Sequence, residues 1–175
     1  MEKLFYTNKT AFSSSEDAVK YVLARFFGYP SAKVVKNEQG KPFIENVAEN
    51  LFVSVSHTGE RLFIAFADEN VGVDAENTKR DVVYQPILKR FCNEERNAIQ
   101  TKDDFLSLWT VKESAVKWLG GTLARDLKKL RYVDGVLQYD GIEVPVVLTQ
   151  KRVDENIVTI CCVRDFKNVE MVAFP

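Results

Sequence analysis

The chain has 175 residues, 46% hydrophobic and 28% charged, a composition that suits a soluble folded protein and excludes collagen-like and disordered classes. With 24 Lys+Arg against 25 Asp+Glu the formal net charge is −1, so no global positive field exists to hold a nucleic-acid backbone. No stretch approaches the roughly 18 apolar residues of a membrane span, and residues 1–10 lack the apolar centre of a secretion signal. A cytoplasmic protein is expected, with neither nucleic acid nor membrane as a partner.

In chain order, Ser13 followed by Glu16 reads as a capping box, and Val19, Val22, Leu23, Phe26 and Phe27 then share one helical face. Gly28 and Pro30 end that helix. Short apolar runs at 52–56, 62–67 and 71–76, separated by Thr58-Gly59-Glu60 and Asp68-Glu69-Asn70, read as a three-stranded meander. Asp103 or Asp104 caps a second helix carrying Phe105, Leu108, Trp109, Val116 and Leu119, stopped by Gly120-Gly121. A second meander follows. Runs 130–133 and 136–139 flank the hairpin signal Asp134-Gly135, Asp140-Gly141 leads into 142–148, and strands at 157–163 and 169–174 close the chain. Helix plus antiparallel meander thus occurs twice. The expected class is α+β, with two similar halves, 1–80 and 81–175, related by a pseudo-twofold axis. A site between such halves would draw side chains from both.

Chemistry-bearing residues are few. Cys92, Cys161 and Cys162 show no CxxC spacing and His57 is the sole histidine, so a sulfur-ligated metal site is not expected. Asp74 and Glu76, two apart in a strand, leave the same face. Paired carboxylates repel unless a cation neutralises them, and Mg²⁺ suits such hard oxygen ligands; taken alone, an edge strand running into the polar loop Asn77-Thr78-Lys79-Arg80 is the favoured explanation. Trp109, Glu113 and Lys117, at i, i+4 and i+8, share one helix face, with Lys112 and Ser114 off it; taken alone, Glu113 and Lys117 are also an ordinary stabilising helix pair. Lys41-Pro42 reads in isolation as a turn entering an extended segment, and Ser56-His57 as the end of a strand.

The order of these pieces is more telling. Gly40-Lys41-Pro42, Val53-Ser54-Val55-Ser56-His57, Val71-Gly72-Val73-Asp74-Ala75-Glu76, Arg90-Phe91 and Trp109-Thr110-Val111-Lys112-Glu113-Ser114 together resemble the ordered motif set of the 4'-phosphopantetheinyl transferase superfamily. The resemblance is to its larger, two-half type, which activates peptide and polyketide synthases. It implies a Mg²⁺- or Mn²⁺-dependent enzyme that moves the phosphopantetheine arm of coenzyme A onto a serine of an apo-acyl or apo-peptidyl carrier protein, releasing 3',5'-ADP. It also implies that a monomer suffices, with a coenzyme A and metal strand in residues 1–80 and the WxxKES helix in 81–175.

By position, the resemblance makes Asp74, Glu76 and Glu113 the metal carboxylates. Lys41, Pro42, Ser56, His57, Asp74 and Lys117 bind coenzyme A, and His57 faces its 3'-phosphate. Glu113 and Lys117 take the catalytic roles, Lys117 on the phosphate chain and Glu113, or a water beside it, as proton acceptor. Larger members carry a longer basic segment before the first helix that holds the 3'-phosphate; here about a dozen residues precede that helix, and Lys3, Lys9 or Arg25 would have to substitute. Lys79, Arg80, Lys89 and Arg90 offer a basic rim to an acidic carrier. Two alternatives stay beside this reading. Another Mg²⁺-dependent nucleotide enzyme would carry GxxxxGK[ST] or GxGxxG, which are absent; an inactive relative that binds carrier or coenzyme A without transfer would have lost a carboxylate, and none is lost.

Overall fold

The computed structural model describes residues 2–48 and 50–175. In chain order the elements are β1 (Lys3–Asn8), α1 (Ser15–Phe26), β2 (Lys33–Lys36), β3 (Pro42–Glu45), β4 (Phe52–Thr58), β5 (Arg61–Ala67) and β6 (Val71–Asn77). They continue with α2 (Gln85–Leu88), α3 (Asn93–Ala98), α4 (Lys102–Leu119) and α5 (Leu123–Asp126). The last are β7 (Leu130–Val133), β8 (Val136–Tyr139), β9 (Ile142–Glu143), β10 (Val147–Val153), β11 (Asn156–Cys162) and β12 (Glu170–Ala173). The α+β class is as expected, distributed over several small sheets.

The sheets run in the orders β12-β1-β5-β4, β10-β11-β6, β2-β3 and β7-β8-β9. This corrects both meanders. Strand β6 follows β5 in the chain but forms no ladder with it; it pairs antiparallel with β11, Asp74 opposite Thr159 and Glu76 opposite Ile157. The expected strand at 142–148 is broken: β9 ends at Glu143 and β10 starts a different sheet at Val147. Pro145 stands in the gap, and a residue without an N–H cannot carry a ladder through. Strand β1, unread in the sequence, lies between β5 and β12, antiparallel to the first and parallel to the second.

Helix α1 buries Ala18, Val19, Val22 and Leu23 against Phe5, Ile64 and Phe66 of the first sheet. Its cap is one residue later than read: Ser14 accepts from the Asp17 N–H, and both Ser13 and Ser14 donate to the Asp17 carboxylate. Helix α4, by contrast, is capped earlier than Asp103 or Asp104. Thr101 is its cap, in a reciprocal box with Asp104, because a hydroxyl that can accept from the third N–H closes the first turn. At the other end Gly120 takes the left-handed conformation (φ 66°) that stops the helix. No helix among the described residues is long and apolar enough to cross a membrane.

Helix α4 lies across β6 and β11 and organises the rest. Its approach to β6 is possible because residue 72 is glycine: a Cβ there would sit 2.0 Å from the Ser114 carbonyl oxygen and 2.6 Å from the Trp118 nitrogen. Lys112, from the same helix, is fully buried. Its ammonium donates to both Glu95 oxygens (2.6 and 2.7 Å) and to the Leu130 carbonyl (2.7 Å), and lies 4.5 Å from the centre of the Phe91 ring. Glu95 also accepts from the Cys92 and Tyr132 N–H groups, so this buried pair is closed on every side.

Candidate active site

The free edge of β6 is satisfied in an unusual way. Ser54, Ser56 and Thr58, alternate residues of β4, present hydroxyl oxygens that accept from the N–H groups of Val73 (2.9 Å), Ala75 (3.1 Å) and Asn77 (3.0 Å). Side chains thus replace a backbone ladder, and β4 and β6 stand a side chain apart instead of one ladder spacing. The same hydroxyls turn to the carboxylates between them: Ser56 donates to Asp74 Oδ1 (2.9 Å) and Thr58 to Glu76 Oε2 (3.4 Å).

Asp74 and Glu76, both buried, therefore open into a cleft of about 890 Å³ that also takes in Ser56, His57, Thr58, Lys79, Arg80, Glu113 and Lys117. Glu113 and Lys117 come from α4, one turn apart, brought to β6 by the close approach at Gly72. Lys117 donates to Asp74 Oδ1 (2.7 Å) and to the Val73 carbonyl (2.9 Å), while Arg80 holds Glu76 Oε2 at 2.6 Å. Asp74 Oδ2 is buried and has no hydrogen-bond partner.

The electrostatics follow from three carboxylates in one recess. Burial, and next to it the charge of Asp74, pushes the Glu113 carboxyl up to about 8, with Lys117 pulling the other way. Burial and Asp74 also raise Glu76, against the guanidinium of Arg80. An orphaned buried carboxylate oxygen and two carboxyls driven toward neutrality form a donor set short of positive charge, which fits a hard cation with oxygen ligands. As the side chains stand, no cluster of three or more His, Cys, Asp or Glu among the described residues is drawn tight enough to hold a metal ion, Lys117 and Arg80 occupying two of the carboxylates instead.

Of the residues singled out from sequence, Ser56, His57, Asp74, Glu76, Glu113 and Lys117 line this one cleft. Lys41 and Pro42 line a smaller recess that shares Val55 and Lys117 with it. The Lys41 ammonium does not point into the main cleft. It bonds Asn70 Oδ1 and the Trp118 carbonyl at the C-terminal end of α4, and burial lowers it to about 8. Trp109 stacks on Phe105 in the core beside Leu127 and Ile157, away from the cleft that Glu113 and Lys117 face. All three cysteines are free, with Cys161 and Cys162 buried in β11. Sequence reading passed over the hydroxyl rungs Ser54 and Thr58 and the steric role of Gly72. The alternation Ser54, Ser56, Thr58 was the available signal.

A model of the 4'-phosphopantetheinyl transferase superfamily matches residues 70–140, the span that contains Asp74, Glu76, Glu113 and Lys117. The chain is 25% identical over 173 residues to the 4'-phosphopantetheinyl transferase gsp of Aneurinibacillus migulanus, covering 90% of this chain and 71% of that protein. It is 34% identical over 97 residues to the 4'-phosphopantetheinyl transferase Sfp of Bacillus subtilis strain 168, covering 51% of this chain and 42% of Sfp. Over residues 70–140 the chain resembles the 4'-phosphopantetheinyl transferase superfamily, and the relatives it matches carry the name 4'-phosphopantetheinyl transferase.

Proposed function

We propose that the protein transfers the 4'-phosphopantetheine moiety of coenzyme A to a serine of an apo-acyl or apo-peptidyl carrier protein, with Mg²⁺ or Mn²⁺. The observation that carries this reading is the partnerless Asp74 Oδ2, buried where β6 and α4 bring Glu76, Glu113 and Lys117 together. A divalent cation held by Asp74, Glu76 and Glu113 would supply the positive charge that the pyrophosphate oxygens need.

The rest falls to the chain's own side chains. The carrier serine oxygen attacks the phosphorus next to pantetheine; the bond from that phosphorus to the bridging oxygen breaks, and 3',5'-ADP leaves with that oxygen. The serine proton passes to Glu113 or to a water beside it. Lys117, already seated on Asp74, adds positive charge to the phosphoryl oxygens as negative charge builds there. Positioning and electrostatics supply the rate in such a displacement. Ser56 orients Asp74, and His57 faces the 3'-phosphate in a depression that Lys9 and Lys36 also line. Lys41 and Pro42 shape the adjoining recess for the nucleotide. Exposed Lys79, Arg80, Lys89 and Arg90 form the rim that meets an acidic carrier.

In this reading the chain works as a cytoplasmic monomer whose halves, 1–80 and 81–175, repeat one plan about a pseudo-twofold axis and meet at the cleft. The pairing of β6 with β11 and of β12 with β1 ties the halves together.

The test is to incubate the purified protein with coenzyme A, Mg²⁺ and a panel of apo-carriers, and to weigh the carriers by mass spectrometry beside a Glu76→Ala control. A phosphopantetheine adduct from the wild type alone is the expected result. No adduct on any carrier, with no binding of coenzyme A by calorimetry, would sink the reading.

A further inference from the structure

Glu76 is not waiting empty for a metal: a cation of the chain already holds it. The Arg80 guanidinium donates to Glu76 Oε2 at 2.6 Å, the oxygen that Thr58 also reaches. The Glu76 side chain is 11% exposed and that of Arg80 47%, so the arginine comes in from solvent over the mouth of the cleft. The two cations on the carboxylates are anchored differently. Lys117 has a second acceptor in the Val73 carbonyl, whereas among the described residues the Arg80 side chain donates to Glu76 alone. Around Arg80 it is the backbone that is fixed, its N–H on the Asn77 carbonyl and its own carbonyl on Lys102. The guanidinium is thus free to leave while the loop stays in place.

We propose that Arg80 is a tethered counter-ion that holds Glu76 while the metal is absent and exchanges with the divalent cation when it binds. The inference rests on the metal reading of the cleft. Two cations cannot share one carboxylate oxygen without mutual repulsion, so guanidinium and metal compete for Glu76. Arg80 keeps a buried carboxylate paired in the metal-free protein and lowers the apparent metal affinity by the same interaction.

The experiment is calorimetric titration of Mg²⁺, without coenzyme A, into wild type, Arg80→Ala, Lys79→Ala and Glu76→Gln, with thermal denaturation of each before and after saturation. Arg80→Ala is expected to bind Mg²⁺ about threefold or more tightly than wild type. It should also melt lower without metal, with the gap closing once metal is added. Lys79→Ala, which removes a neighbouring charge paired with Glu155, is expected to bind as wild type does. Equal or weaker binding by Arg80→Ala, or the same gain from Lys79→Ala, would overturn the exchange while loss of binding in Glu76→Gln left the metal site standing. Failure of both wild type and Arg80→Ala to bind Mg²⁺, or undiminished binding by Glu76→Gln, would remove the metal reading and the exchange with it.

Discussion

Helix α4 carries two lysines five residues apart that meet carboxylates in opposite ways. Lys112 and Glu95 are both 0% exposed, and each of their polar atoms is answered by the other or by backbone. Lys117 is 30% exposed, and its partner Asp74 keeps one buried oxygen without a donor. A closed pair such as the first holds α4 against α3 and β7 and has nothing left to offer a ligand. An incomplete pair such as the second is expensive to maintain in a folded protein unless something else binds there.

The comparison breaks most visibly at the closed pair. Lys112→Ala should strand the Glu95 charge in the core and cost about 3–5 kcal/mol in urea unfolding, much of a typical folding free energy. Next comes Gly72→Ala, which forces α4 off β6. About 1–3 kcal/mol of stability should be lost, and coenzyme A binding by calorimetry should weaken, because Glu113 and Lys117 move away from Asp74. Lys117→Met should cost less than Lys112→Ala, since water reaches the 30% exposed Lys117 side of the pair although Asp74 is buried, yet lower the transfer rate about a hundredfold or more. A Lys117 variant that unfolds as readily as the Lys112 variant would erase the distinction.

A dependence on pH sharpens the picture of the open site. With its carboxyl raised from 4.5 to about 8, Glu113 keeps in the folded, metal-free protein a proton that the unfolded chain releases. Stability from this group is therefore full below pH 4.5 and falls as pH rises through about 8. Denaturation midpoints over that window should show a steeper decline in wild type than in Glu113→Gln, where the raised Glu76 carboxyl still contributes.

Local periodicity made part of this legible. The period of two put Asp74 and Glu76 on one face, and i, i+4 spacing did the same for Glu113 and Lys117. That the two faces meet depends on Gly72, whose steric role appears only when Ser114 lies over it. The partner of β6 was equally hidden, because β11 lies some eighty residues on. Strand β1 was missed for the same reason: Lys3–Asn8 finds its neighbours in β5 and β12. Lys112 read as a polar residue off the functional face, since nothing local announces that a lysine is buried; its partner Glu95 sits in the short helix α3.

The most direct test of the site is a crystal structure with coenzyme A and Mn²⁺, examined for anomalous scattering. A peak is expected within ligating distance of Asp74 Oδ2, with Glu76 and Glu113 turned to it and the pyrophosphate beside Lys117. Bound coenzyme A with no peak at Asp74, or with Lys117 still bridging Asp74 and the phosphates elsewhere, would contradict it.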